Sequence, residues 1–300
     1  MDGNANDILG VTAQAEIIKK ERKANNAWNK LKRNRTAMFG LIIICIMVFM
    51  VIFADVISPY DPNVIDLGNT YVKPGNMGHV FGTDEFGRDL LSRILYGSRI
   101  SILVAVGATL VGGIIGLFLG LISGYAGGIT DSIIMRVMDG MMAFPFVLLS
   151  ILLMTILGSG VFNVILAIGI SNVPIFARIV RGQVLVVKNE EYCNAVKILG
   201  ASHTRLLFSH ILPNSISPII VQATLNVAGS IISEAALSFL GLGISQPTAS
   251  WGNILRGGKD YLVTAPHIAT ISGFFILITV LGFNLLGDGI RDVLDPKMKK

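Results

Sequence analysis

Six stretches of this chain are apolar for long enough to cross a lipid bilayer, and nothing else in it constrains the fold as strongly. A helix needs about 20 apolar residues to span the hydrocarbon core. Runs of that length lie at Ala37 to Ile57, Ile100 to Ile122, Ile133 to Leu157, Val161 to about Ile179, about Ile216 to Phe239 and about Ala265 to Leu286. Only 14% of the 300 residues are charged, roughly half the share usual in soluble domains. Backbone groups in lipid must be paired within the chain, and no alternating strand pattern is present, so helices are the one solution. The expected fold is all-α, a polytopic bundle of six transmembrane helices.

Orientation follows from the basic residues. With the N-terminus in the cytoplasm, about three quarters of the Lys and Arg side chains fall inside, most of them in the leader and between spans four and five. Both termini are then expected to be cytoplasmic, in the cell membrane. The first apolar run follows a leader longer than a signal-peptide n-region, so a retained span is expected, with no cleaved signal. KKERK at Lys19 to Lys23 and NKLKRNR at Asn29 to Arg35 suit either a helix lying on anionic headgroups or a solvated tail that fixes topology. Cys45 and Cys193 are too few for a disulfide framework and are expected reduced and unpaired.

EEYCNAVKILGASHTRLLFSHILPN, residues 190 to 214, interrupts the apolar pattern on the cytoplasmic side. If Glu191 to Leu199 is helical, Tyr192, Ala195, Val196 and Leu199 make one apolar stripe. Gly200 suits the stop, because glycine enters the left-handed region without steric cost. A second helical segment, about Ser202 to His210, would end at Pro213. Two short helices held at the membrane surface fit a docking element for a partner; an amphipathic loop that packs only on the bundle is the plainer alternative.

This segment resembles the EAA motif of ATP-binding-cassette importer permeases. Asn194, Ala195 and Val196 stand at the E-A-A positions, Gly200 at the glycine, and His210 to Pro213 at the closing I-x-L-P. Asn194 replaces the glutamate, which removes any salt bridge assigned to that position. FGTDEFGRDLLSRILYGSRIS (Phe81 to Ser101) resembles the extracytoplasmic signature of the dipeptide, oligopeptide and nickel permease group, with Gly82, Thr83, Asp84, Gly87, Arg88, Asp89, Ser92 and Arg93 at its polar and glycine positions. SEAALSFLGLGISQPTASWGNIL (Ser233 to Leu255) and GDGIRDVLDPK (Gly287 to Lys297) resemble the second permease of that group.

The resemblance implies the type I importer permease fold, a second homologous permease, two cytoplasmic ATPases and an extracytoplasmic substrate-binding protein, with no nucleic acid involved. It makes 188–214 the coupling loop, with Glu191, Tyr192, Asn194, Ala195, Val196, Leu199, Gly200 and Ala201 meeting the ATPase. The expected organisation is a leader at 1–35, a first span with its external loop at 36–99, a five-helix core at 100–290 and a tail at 291–300. Dipeptides or oligopeptides are the implied cargo, with nickel or another small solute as the alternative. A self-powered secondary carrier and a membrane scaffold without transport are the rivals from other classes.

Physical reading adds local expectations. Thr83 could cap a short amphipathic helix with Asp84–Arg88 and Asp89–Arg93 as i, i+4 ion pairs. Such a helix would brace the bundle's outer mouth or meet a delivery protein. Charges within spans are costly and should face protein or water. Arg136 and Asp139 can share a face and pair. Asp139, Asn226 and Glu234 are candidates for the pathway, and Asn226, Ser230 and Ser233 form a polar stripe that either lines it or bonds a neighbouring helix. Pro145 and Pro174 are expected to kink spans three and four. No phosphate-binding G-x-x-x-x-G-K-[ST] loop occurs, and His79, His203, His210 and His267 have no paired-ligand spacing, so a non-enzymatic chain without cofactor or metal is expected.

Overall fold

A computed structural model describes residues 28–294. The leader through residue 27, where the KKERK segment lies, and the tail from residue 295, where the last C-terminal motif ends, fall outside the described residues.

The chain is helical along most of its length. α1 (Arg35–Ile57) begins at Asn34, whose side chain accepts from the Ala37 N–H. It packs along the last helix, α9 (Pro266–Leu294). A Cβ on Gly40 would stand 2.7 Å from the Gly282 carbonyl oxygen, so only glycine permits this approach. α2 (Leu90–Ala126) starts earlier than its apolar run suggests and lies against α5 (Val161–Val187). Gly112, Gly116, Gly120 and Gly124 recur every four residues down the seam, and Cβ atoms there would meet α5 at 2.5 to 2.8 Å. Small residues are how helices pack closely in lipid, where no hydrophobic force drives them together.

Span three is two helices rather than one. α3 (Gly128–Met142) and α4 (Phe146–Leu157) meet at 91°. Pro145 lacks an N–H and disfavours helical geometry at Phe144, so the helix stops before it and restarts after it. Pro174 behaves differently: α5 runs through it without interruption.

α6 (Glu191–Ile198) follows α5 across a short turn. The second short helix expected at Ser202 to His210 is instead the start of span five. His203–Arg205 leads into a π-helical turn, Leu206–Ile211, and on into α7 (Leu212–Phe239). Pro213 therefore terminates nothing; it lies inside a continuous helical run directly after the π-helical turn, where the i→i−4 ladder is already interrupted. α8 (Trp251–Gly258) lies in the connection between α7 and α9. Two apolar cores hold the ends together. Leu90, Ile94, Ile231, Trp251 and Ile268 are buried at one, and Phe176, Val184, Cys193, Leu206 and Ile211 at the other. Both cysteines are free.

Candidate functional site

The α6 hairpin closes as its sequence requires. Gly200 has φ +83°; its N–H donates to the Lys197 carbonyl and that of Ala201 to the Val196 carbonyl, the paired bonds that satisfy a helix C-terminus at a left-handed residue. The hairpin is anchored from below. Lys188 Nζ donates to the Gly124 carbonyl at 2.7 Å, and the Tyr125 hydroxyl is hydrogen-bonded to His203 Nδ1. Cys193 is buried in the core and Val196 is half-buried against it.

That geometry turns α6 differently from the expected stripe. Val196 faces the protein and does not join the outward face. Glu191, Tyr192, Asn194, Ala195, Leu199 and Gly200 are exposed, and Ala201 is partly so. Ile198, which the stripe pattern passes over, is 86% exposed, as is Leu199. Partial burial, with a smaller contribution from Cys193 beside it, pushes the Tyr192 hydroxyl up to about 12, so it stays neutral at physiological pH. The tip of the hairpin is thus two bare aliphatic side chains on a capped helix.

The pathway candidates separate from one another. Glu234 is fully buried. Its carboxylate accepts from Ser238 Oγ at 2.8 Å and from Ser101 Oγ at 3.1 Å, and the Trp251 N–H donates to that same Ser101. It ties α7 to α2 and α8 and faces no open path in this chain. Asn226 donates to Asn172 Oδ1 at 2.9 Å and accepts from Thr109 Oγ1 at 3.1 Å, with Ser230 joining the cluster. The expected polar stripe there bonds neighbouring helices; Ser233 only bonds back to the Gly229 carbonyl. Asp139 is exposed and pairs with Arg178 of α5 at 2.5 Å. The expected Arg136–Asp139 pair does not form among the described residues.

The GTDEFGRD segment is a loop rather than an amphipathic helix. Gly82 and Gly87 have φ of +79° and +73°, and a Cβ on Gly87 would fall 1.7 Å from the Asp66 carbonyl oxygen. Thr83 does not cap a helix. Its hydroxyl donates to the Asn69 carbonyl and accepts from the Val72 N–H. Asp89 is the cap, accepting from the Ser92 N–H at 2.8 Å, and it pairs with His79 instead of Arg93. Asp84 does meet Arg88, at 2.7 Å, and also lies 3.3 Å from Arg93. Asp84, Arg88, Asp89 and Arg93 are all buried. Arg93 donates to the Pro62 carbonyl at 3.0 Å, and His267 sits 3.2 Å from the Thr83 carbonyl. The loop therefore knots the start of α2 to the α9 side of the bundle, and this is a brace by construction.

Residues 116–300 match the family model described as the binding-protein-dependent transport system inner membrane component, and residues 24–74 match the N-terminal transmembrane domain of oligopeptide transport permease C. The chain belongs to this permease family. The oligopeptide transport system permease protein OppC of Bacillus subtilis is 46% identical over 288 residues, covering 95% of this chain and 94% of its own. The dipeptide permease DppC of Alkalihalophilus pseudofirmus is 45% identical over 273 residues, covering 91% of this chain and 90% of its own. The glutathione permease GsiD of Escherichia coli is 44% identical, again over 91% of this chain and 90% of its own. Among solved structures, the MetNI methionine ABC transporter superposes with a TM-score of 0.55 at 18% identity, covering 69% of this chain and 97% of the other. The fold is that of an ABC importer permease, spanning the membrane several times.

Within that permease fold, sequence reasoning missed four residues of these contacts and exposed faces. Ile198 lies one position off the counted stripe. Asn172 and Ser101 are two among several polar residues of their helices, and only their meeting with Asn226 and Glu234 reveals them. Arg178 is a charge inside the fourth apolar run, and its partner Asp139 lies on another helix.

Proposed function

We propose that this permease carries short peptides inward as one half of a heterodimeric channel. Two cytoplasmic ATPases power it, an extracytoplasmic binding protein feeds it, and both of its termini lie in the cytoplasm. The exposed Ile198–Leu199 tip carries the coupling part of this reading. A capped helix that is stapled to α2 and displays two bare aliphatic side chains between spans is a lever without its seat. The ATPase supplies the seat and the force; the membrane subunit contributes no chemistry. Peptide as cargo rests on the relatives at 44 to 46% identity that are named for dipeptides, oligopeptides and glutathione. The division into leader, first span with external loop, five-helix core and tail belongs to the same reading.

Gly200→Val tests it. A β-branched residue at φ +83° is a steric outlier, while no neighbouring atom lies within 4 Å of the new Cβ. The hairpin should deform and the bundle should survive. Peptide uptake and ATPase co-purification should both be lost with normal membrane insertion; unimpaired uptake would refute the lever.

A further inference from the structure

The break in span three opens a cavity of about 230 Å³, lined by Met141, Phe144, Phe146, Leu149, Pro174 and Ile175 among others. The Asp139–Arg178 pair joins the same two helices close to that lining, Asp139 two residues before Met141 on α3 and Arg178 three after Ile175 on α5. Two ion pairs join α3 to α5, and they are built differently. Asp131 and Arg181 meet through two bonds of 2.6 Å, with Ser123 also bonded to the carboxylate, and both side chains are largely covered. Asp139 and Arg178 share a single contact, with half of each side chain exposed. Among the described residues, no other hydrogen bond engages either side chain. The first pair is a staple. The second leaves most of its donors and acceptors unused.

Depth decides what the second pair faces. Arg178 lies ~13 Å along the α5 axis from Val187, at 1.5 Å per residue, well within a span. A charge there facing lipid costs about 2.5 to 3.5 kcal/mol even on insertion scales. This face therefore looks onto water or protein, and it lies too deep for lipid headgroups. Arg136 is exposed on α3, and Cβ atoms on Gly140 of α3 and Gly182 of α5 would meet nothing within 4 Å, so the face is open in this chain.

We propose that the cavity and the Asp139–Arg178 pair together form a contact site for the transported peptide. An apolar side chain of the peptide enters the cavity at the break. Its terminal carboxylate takes the Arg178 guanidinium, whose planar fork suits two-pronged binding, and its ammonium group neutralises the Asp139 carboxylate released by that exchange. A short peptide carries an apolar group close to a terminal charge, and the site offers a complement to each. The inference rests on the reading of this chain as a peptide permease.

The test uses the complete transporter in proteoliposomes, with uptake of radiolabelled Phe-Phe and Gly-Gly dipeptides. Asp139→Asn and Arg178→Gln should each assemble with the other subunits and raise the KM for both dipeptides about tenfold or more, the worth of one charge-assisted bond. The reversed pair, Asp139→Arg with Arg178→Asp, restores the attraction between helices but should leave uptake impaired. Leu149→Trp, which fills the cavity, should lower the Phe-Phe to Gly-Gly uptake ratio. Rescue by the reversed pair, or loss of assembly in the single variants, would make the pair structural and overturn the proposal. So would an unchanged ratio in Leu149→Trp. Absence of ATP-dependent peptide uptake by the parent would remove the peptide reading itself; normal parent uptake with unaffected variants would remove this site alone.

Discussion

Truncating Ile198 to alanine separates a docking face from an ordinary amphipathic loop. Ile198 is 86% exposed in the isolated chain, so Ile198→Ala removes almost nothing from the folded subunit, and stability should move by no more than about 0.5 kcal/mol. If the ATPase covers this side chain, the lost burial is that of about three carbon groups at ~0.8 kcal/mol each, or ~2.4 kcal/mol. That corresponds to roughly 50-fold weaker association. Leu199→Ala should do the same, because it is equally exposed. Val196→Ala is the control. Val196 packs inward against the Cys193 and Leu206 core, so its loss should cost the permease stability and the ATPase little. Titration of purified ATPase onto the permease heterodimer in lipid nanodiscs measures all three. Parent-like affinity for Ile198→Ala and Leu199→Ala, or a greater loss for Val196→Ala than for either, would refute the assignment of this face.

Three further outcomes follow from packing and charge. Gly116→Ala places a Cβ 2.5 Å from that of Phe176, while Gly113→Ala meets only ring atoms at 3.7 Å. The first should cost about 1 to 3 kcal/mol by overpacking and lower the melting temperature in detergent; the second should not, and equal melting would refute the seam. Asp84→Asn leaves the buried Arg93 without its carboxylate and Arg88 with only Glu85, 3.7 Å away, a loss of about 3 kcal/mol. It should make the 58–89 loop protease-sensitive in membrane vesicles, and a loop as resistant as the parent's would refute the brace. Asn226→Leu cuts two interhelical bonds that average ~0.6 kcal/mol each in membrane bundles; its melting shift should be smaller than that of Asp84→Asn, and the reverse order would refute the ranking.

The spans were legible because their apolar length is a local property, set by the bilayer and not by neighbours. What escaped depended on contacts between distant segments. Charge spacing in GTDEFGRD fits a helix and a loop equally well. The deciding fact is that residue 66 passes within 1.7 Å of where a Cβ on Gly87 would sit, and no helix tolerates that crossing. The outward face of α6 was misjudged by one residue for a similar reason. Periodicity finds a stripe, but burial of Cys193 against Leu206 and Ile211 decides which side turns in. Pro145 announced a kink; a bend of 91° requires α4 to find its own bed on α5. Glu234 drew attention as an intramembrane acid, yet Ser101, the partner that makes it a strut between helices, sits on α2.

These contacts also determine what a push on α6 would move. Lys188 and His203 fasten the hairpin to Gly124 and Tyr125 at the end of α2, and from Gly124 to Gly112 the glycine seam holds α2 against α5 with backbone-level contacts. Small displacements along such a seam meet steep repulsion, so the hairpin, α2 and α5 shift as one body. The joints lie elsewhere. Gly127 and Gly128 both have positive φ where α2 hands over to α3, and the chain breaks again at Phe144–Pro145. α3 is therefore hinged at both ends and held to α5 by the apolar packing of Met138 on Val173 and Ala177 and by two ion pairs, the tight Asp131–Arg181 and the loose Asp139–Arg178. Of the two, the loose pair lies nearer along both helices to the residues that line the cavity. A load applied at α6 thus reaches the proposed peptide contact as a change in the angle of the break, with the weaker pair as the first bond to give.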